Sequence, residues 1–386
     1  MIQKIFRSFL ELINHIIPKT KNKIIFVPFP NTEPGSIRMA NYITKHYPEK
    51  NVYLVADTAY DIPKKLLDPK VHIIKRKLRL DFGFLSNLFT SQYIFYSHGL
   101  IINRFPKSQV VVNLWHGLLY KNVGMLLGRG KTNADFTVGT SKTSQVMFSK
   151  AFGVSEDSVT TSGYPRNDVL LEAKLNKTSI IEKLQLKQKY QKILLWMPTY
   201  RKSIKGDIRV DGTEVGNPFY IKDFDVHRFN SILEAHNALC IVKPHPMAPK
   251  LPSSKDVSNI LFVDNHWIYE KGFDLYEFVG ATDILISDVS SIIIDYILLD
   301  KPIICISEDF EEYKNTRGFY FKDTEEKIPT KVLKSSKEFF EALNQLLNTR
   351  VDPYLEKRMA LKDFFFEHKD DKSAERLANI VFGKTK

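Results

Sequence analysis

Residues 281–306 read ATDILISDVSSIIIDYILLDKPIICI. A β-branched run, Asp283–Ser287, leads into paired serines, then an apolar segment of helical length, then a second strand-like run at Pro302–Ile306. Two such runs joined by a helix make a βαβ unit, whose crossover forces the strands parallel. Ser290 and Ser291 fall where the helix begins. Hydroxyls and backbone amides there serve an anion as readily as they serve an N-cap. Asp295, one turn on, is placed to accept hydrogen bonds from a ribose.

The same alternation extends in both directions. Upstream lie strand-like runs at Ile193–Trp196, Ala238–Lys243 and Ile260–Val263. A Lys-rich stretch without Gly or Pro, Leu175–Lys192, separates them from an earlier series. That series comprises Lys23–Phe26, Val52–Ala56, Val71–Ile74, Tyr93–Tyr96, Val110–Leu114 and Asp135–Gly139. Strand and helix alternating in two series predict an α/β protein with two doubly wound domains, 23–188 and 189–386. Ligands of such sheets bind at the carboxyl ends of the strands, so the residues just past each strand carry the functional reading.

Composition narrows the partners. Of 386 residues, 56 are Lys or Arg and 44 Asp or Glu, a net charge of +12. An apolar content of 43% excludes global disorder. The two cysteines, Cys240 and Cys305, each sit in an apolar run, which argues against a disulfide framework or a Cys-based zinc site. No stretch is long and apolar enough for a transmembrane helix. The positive balance calls for an anionic partner: nucleic acid, anionic lipid or a phosphorylated substrate.

Residues 1–22 favour lipid. Ile2, Ile5, Phe6, Phe9, Leu10, Ile13, Ile16 and Ile17 form one stripe at helical spacing, with Lys4 and Arg7 on the other face and Pro18 closing the helix. This is the pattern of a basic amphipathic helix lying in a membrane interface, although a first helix packed on a core has the same periodicity. A second basic-aromatic stretch, KRKLRLDFGFLSNLF at 75–89, is expected to assist it.

Five strand exits carry candidate chemistry. VVVNLWHGLLYKNVG (110–124) places His116 after a buried strand as a general-base candidate, with Trp115, Gly117 and Lys121 around it. SGYPRNDVLL (162–171) supplies Arg166 for an anion and Asp168 to orient a base or a hydroxyl, or merely to cap a helix. WMPTYRK (196–202) offers Arg201. IVKPHPM (241–247) aims Lys243 and His245 from a stiff turn, and with Ser290 and Ser291 they make a candidate diphosphate clamp. The D-x-D at Asp223 and Asp225 follows no strand and is discounted as a metal site.

WHGLLYKNVG, GYPRNDVLL, PTYR, KPHP, DLYEFVGATDILISDVSSIIIDYILLDKPII, EEYKNTRGFYF and the closing HKDDKSAERL together resemble the CDP-glycerol glycerophosphotransferase family of teichoic-acid primases, polymerases and capsule transferases. The resemblance implies a GT-B architecture of two Rossmann-like domains facing a central cleft, with an N-terminal acceptor side and a C-terminal CDP-polyol side. The last helix is expected to pack back on the N-terminal domain. It implies metal-independent transfer, without a cofactor, of glycerol phosphate or ribitol phosphate from CDP-glycerol or CDP-ribitol to an undecaprenyl-diphosphate-linked saccharide. The enzyme would act as a peripheral protein on the cytoplasmic face of a bacterial membrane. His116 is then the base and Asp168 its companion. His245, Lys243, Arg201, Ser290, Ser291, Asp295 and Arg317 serve the donor; Trp115, Gly117, Lys121 and Arg166 lie on the acceptor side. The chain length is nearer that of the primases than of the polymerases. A GT-B glycosyltransferase using a nucleotide sugar is the alternative enzyme. No nucleic-acid-binding signature accompanies the charge.

Overall fold

Strands such as Ile24-Ile25-Phe26 offer no polar face to water and must be covered on both sides. The computed structural model describes residues 2–57, 62–78, 80–118, 120–128, 130–199, 217–245, 257–316, 318–349 and 351–383. It buries all three of these side chains in β1 (Thr20–Val27). The chain divides into two units. The first comprises Met1–His116, Val123–Val169 and Phe366–Lys386; the second comprises Gly117–Asn122 and Leu170–Phe365.

In the first unit β1 is joined by β2 (Asn51–Asp57), β3 (His72–Arg76), β4 (Ser91–Tyr96), β5 (Val110–Asn113), β6 (Phe136–Val138) and β7 (Val159–Thr160). They form one parallel sheet in the order β3-β2-β1-β4-β5-β6-β7. The second unit contains β8 (Lys192–Met197), β9 (Ala238–Val242), β10 (Ile260–Phe262), β11 (Ile284–Ser287), β12 (Ile303–Ile306) and β13 (Val332–Leu333). Their parallel order is β10-β9-β8-β11-β12-β13. Both orders are Rossmann-like, with topological switch points between β1 and β4 and between β8 and β11.

Each unit has its own core. Leu10, Ile25, Phe84, Leu88 and Ile94 belong to the first. In the second, Trp196 packs within 4.8–5.6 Å of the rings of Phe219, Phe224, Phe229 and Phe339. Gly280 shows how tightly the second unit is closed. A Cβ there would lie 2.4 Å from the Leu170 carbonyl oxygen, so the helix Leu275–Ala281 depends on the missing side chain.

The junction expected at 188/189 falls instead between Val169 and Leu170, inside the helix Pro165–Leu175. The Lys-rich stretch contains a helix, Lys177–Lys183, and belongs wholly to the second unit. The closing helix Ser373–Gly383 returns to the first unit, where the Phe382 ring meets Tyr47 at 4.9 Å and Tyr93 at 5.0 Å.

The N-terminal helix, Ile2–Ile16, is half core and half surface. Leu10 and Asn14 are buried, Asn14 donates to Gln109 Oε1 at 2.8 Å, and Glu11 Oε1 accepts from the Asn103 N–H at 2.9 Å. The apolar arc is wider than the core can cover, so Ile5, Phe9, Leu12 and Ile16 remain 56–71% exposed along one stripe. Residues 75–89 divide likewise. Leu80 and Phe82 are exposed, whereas Phe84, Leu88 and Phe89 are core and do not insert anywhere else. Among the described residues no helix is long and apolar enough to cross a membrane.

Candidate active site

At the first unit's carboxyl edge, β5 ends at Asn113, whose side-chain oxygen accepts from the Trp115 N–H at 3.1 Å. Trp115 then takes the left-handed conformation at φ +53° and Gly117 follows at φ +147°. A left-handed tryptophan costs on the order of 1–3 kcal/mol. That strain turns the chain sharply out of the sheet and leaves His116 exposed. His116 Nδ1 lies 3.0 Å from the Ser97 carbonyl oxygen at the exit of β4. A carbonyl only accepts, so the proton sits on Nδ1 and Nε2 is left as the acceptor, the tautomer a general base requires. Phe29 and His98, absent from the sequence-derived site, also occupy this edge: their rings are 5.2 Å apart, and His98 is 5.4 Å from His116. Their signal was positional, since each lies just past a strand, β1 and β4.

Asp168 does different work from that expected. Its carboxylate is buried and accepts from the backbone N–H groups of Ser373 at 2.8 Å and Ala374 at 2.9 Å, capping the closing helix. Burial raises its pKa to about 6 despite these bonds and Arg38 at 4.0 Å. The carboxylate is therefore a helix cap, not an orienter of His116 or of a hydroxyl. The neighbouring motif is interlocked in the same way: Arg376 Nε donates to the Ser162 carbonyl at 3.0 Å, and its Nη1 pairs with Asp370. Arg166 is buried with its guanidinium 4.3 Å over the Tyr164 ring, a packing contact that the sequence reading of an anion ligand did not foresee.

The second unit's edge is cationic. β9 delivers Lys243, buried, and His245. Burial lowers the Lys243 pKa to about 8, with Asp264 opposing. His245 is exposed at its surface, yet partial burial, then the Lys243 and Lys121 charges, lower its pKa to about 4, with Asp288 opposing. His245 is thus neutral at physiological pH, and the positive charge comes from the lysines. Lys121, expected on the acceptor side, belongs to the second unit together with Gly117. Its backbone bridges to Phe319 and its ammonium lies 4.5 Å over the Tyr313 ring.

Asp288 joins the exits of β8 and β11: its Oδ2 accepts from the Thr199 amide at 3.1 Å and the Thr199 hydroxyl at 2.5 Å. Ser290 and Ser291 follow, both half-buried, and Ser291 makes no side-chain capping bond to the helix Ile292–Tyr296. The plain N-cap explanation of this serine therefore does not hold. Asp295 is corrected as well. It is fully buried and accepts from the Tyr276 hydroxyl at 2.6 Å, which removes it from the reach of a ribose.

Arg201 and Arg317 lie outside the described residues. Asp225 caps the helix Val226–Ala235 by accepting from the Arg228 N–H at 2.9 Å. Among the described residues no group of three or more His, Cys, Asp or Glu is placed to hold a metal ion. The unit-two edge can hold a polyanion, and the unit-one edge can take a proton from a hydroxyl.

A family model described as CDP-glycerol:poly(glycerophosphate) glycerophosphotransferase matches residues 9–383. The teichoic acid ribitol-phosphate polymerase TarL of Staphylococcus aureus is 30% identical over 400 residues, covering 99% of this chain and 66% of its own. The chain thus spans slightly less than two thirds of that relative. A teichoic acid glycerol-phosphate primase of Bacillus spizizenii is 31% identical over 180 residues, 46% of this chain and 42% of its own length. The solved structure of the wall teichoic acid polymerase TagF superposes with a TM-score of 0.77 at 19% identity, covering 99% of this chain and 93% of that one.

Proposed function

The chain belongs to the CDP-glycerol:poly(glycerophosphate) glycerophosphotransferase family, and from that premise we propose that it transfers a polyol phosphate from a CDP-activated donor to a hydroxyl of a membrane lipid-linked saccharide. What supports the proposal is the charge at the second unit's carboxyl edge, where Lys243 and Lys121 act on His245 and Asp288, two residues before Ser290, opposes them. A donor diphosphate would be held there, with the hydroxyls of Ser290 and Ser291. An acceptor oxygen attacks the β-phosphorus, the bond to the bridging oxygen breaks, and CMP leaves. Charge in such a transition state spreads over the phosphoryl oxygens, so positioning and cationic stabilisation supply most of the catalysis. His116 Nε2 takes the hydroxyl proton, oriented by the Ser97 carbonyl.

Within this proposal the group transferred is glycerol phosphate, in a primase-like addition for teichoic acid or capsule synthesis. Ribitol phosphate is the second reading, favoured by the identity to TarL. Incubating the protein with CDP-glycerol, CDP-ribitol and a UDP-sugar over a panel of undecaprenyl-diphosphate-linked saccharides, followed by mass spectrometry, tests both. Release of CMP with a mass gain of one polyol phosphate is the expected result. Transfer of a sugar with release of UDP would replace the proposal with a glycosyltransferase. Turnover is expected to persist in EDTA. Loss of activity restored by Mg²⁺ or Mn²⁺ would show that a metal participates.

We place the enzyme at the cytoplasmic face of the membrane, held through the exposed stripe Ile5, Phe9, Leu12 and Ile16 and the outlying Leu80 and Phe82. Basic residues at an anionic surface add about 1 kcal/mol each. Deleting the helix would damage the core through Leu10 and Asn14, so substitution is the cleaner test. The triple variant Ile5→Ser/Phe9→Ser/Leu12→Ser is expected to keep its melting temperature and to lose co-sedimentation with phosphatidylglycerol vesicles. Undiminished sedimentation would show that this stripe is not the anchor.

A further inference from the structure

Phe29 leaves β1 with 58% of its surface exposed, at the edge that carries the base. It is not loosely placed. Its N–H donates to Ser97 Oγ at 2.8 Å, tying the exit of β1 to the exit of β4. Its ring meets that of exposed His98 at 5.2 Å. His98 lies nearly parallel to Trp115, 8° between planes at 6.4 Å, and the Trp115 ring is 4.0 Å from His116. His98 is itself 5.4 Å from His116, and half-buried Trp115 also meets the Phe152 ring at 4.7 Å. Rings from three successive positions in the sheet thus gather in one strip beside His116, with Phe29 and His98 outermost.

A strip of ring faces beside a hydroxyl-activating histidine selects for a particular shape of acceptor. Aromatic faces gain from flat, weakly polar C–H surfaces, whereas hydroxyls are best presented at the edge, toward polar groups. A pyranose has both features: an apolar C–H face and equatorial hydroxyls at its rim. An open-chain polyol phosphate has no such face. We propose that Phe29 and His98, backed by half-buried Trp115, form a stacking platform for a pyranose ring of the acceptor, which presents one ring hydroxyl to His116 Nε2. The proposal rests on the transfer reading above and specifies the acceptor for it. In this role His98 contributes a ring face and not a proton.

The test uses the full chain with the CDP-polyol that the wild type turns over and two soluble acceptors, a short-chain lipid-linked disaccharide and glycerol phosphate. Phe29→Ala and His98→Ala are expected to raise KM for the disaccharide about tenfold, the scale of one lost aromatic contact. KM for glycerol phosphate, KM for the donor and kcat should be unchanged, and His98→Phe should restore the wild-type KM. Equal effects on both acceptors would overturn the platform, as would a His98→Phe variant no better than His98→Ala. Saturation-transfer NMR with methyl pyranosides decides the platform independently of turnover. Binding to the wild type that is lost in Phe29→Ala supports it even if no polyol phosphate is transferred, an outcome that would defeat only the transfer reading. Absence of binding to the wild type, or binding undiminished in the variant, overturns it.

Discussion

His116→Ala is expected to slow polyol-phosphate transfer by about 10²–10⁴-fold, the usual contribution of a positioned general base. Affinity for the CDP-polyol should be retained, because the proposed donor groups are Lys243, His245, Lys121 and the paired serines, all in the second unit. The two halves of this result carry different weight. Loss of turnover alone would also follow from a misfolded edge, and Trp115 next door is already strained at φ +53°. Intact donor binding by calorimetry, with an unchanged melting temperature, separates lost chemistry from lost structure. The Ser97 carbonyl adds a further check. It fixes the Nδ1–H tautomer, so His116→Gln, whose amide can donate to that carbonyl but is a poor base, should be as inactive as the alanine variant. Turnover by either variant within tenfold of wild type would remove His116 from the base role.

The strands were legible where the chain left them no alternative. Ile24–Phe26, Ile193–Leu195 and Ile284–Ile286 are buried on both faces, and nothing but a covered parallel sheet accommodates such runs. The strands missed, β7 at Val159–Thr160 and β13 at Val332–Leu333, are two-residue edges too short to show any period. The strand-exit rule points to His116, Lys243, His245 and the serines, which do lie just past β5, β9 and β11, and it applies equally to Phe29 and His98. No motif marks either residue. What local pattern could not supply was the partner of each carboxylate. Asp168 looks like an active-site acid until the amides of Ser373 and Ala374 arrive from more than 200 residues away. Asp295 looks like a ribose ligand until the Tyr276 hydroxyl meets it. Lys121 changed sides for a related reason: its short segment pairs with Phe319, a contact formed only in the folded second unit. The N-terminal helix was legible in its periodicity but not in its division of labour, since the same stripe feeds both the core and the surface.

Donor affinity should fall as the pH rises through about 8, and Lys243 is the reason. Its pKa, lowered by burial to about 8, means that the free enzyme loses this cation on crossing that value. A bound diphosphate stabilises the ammonium and raises its pKa, so donor binding above pH 8 must take up a proton. By linkage the apparent affinity then declines by up to about tenfold per pH unit until the pKa of the complex is reached. His245 contributes nothing to this limb. With its pKa near 4 it is neutral on both sides of pH 8, and it gains a proton only in acid. Lys243→Arg keeps the charge at every pH and should flatten the profile, whereas Lys243→Met should weaken binding at pH 7 and leave no pH dependence near 8. His245→Ala and the double variant Ser290→Ala/Ser291→Ala act differently, each lowering affinity at all pH values without moving the break. A hydrogen bond to a charged group is worth about 1.5–3 kcal/mol, roughly 10–150-fold in Kd. A break near pH 8 that persists in Lys243→Met would assign the titration to another group. Unchanged donor affinity across all of these variants would mean that the diphosphate does not sit at the ends of β9 and β11, and the donor site would have to be sought elsewhere in the second unit.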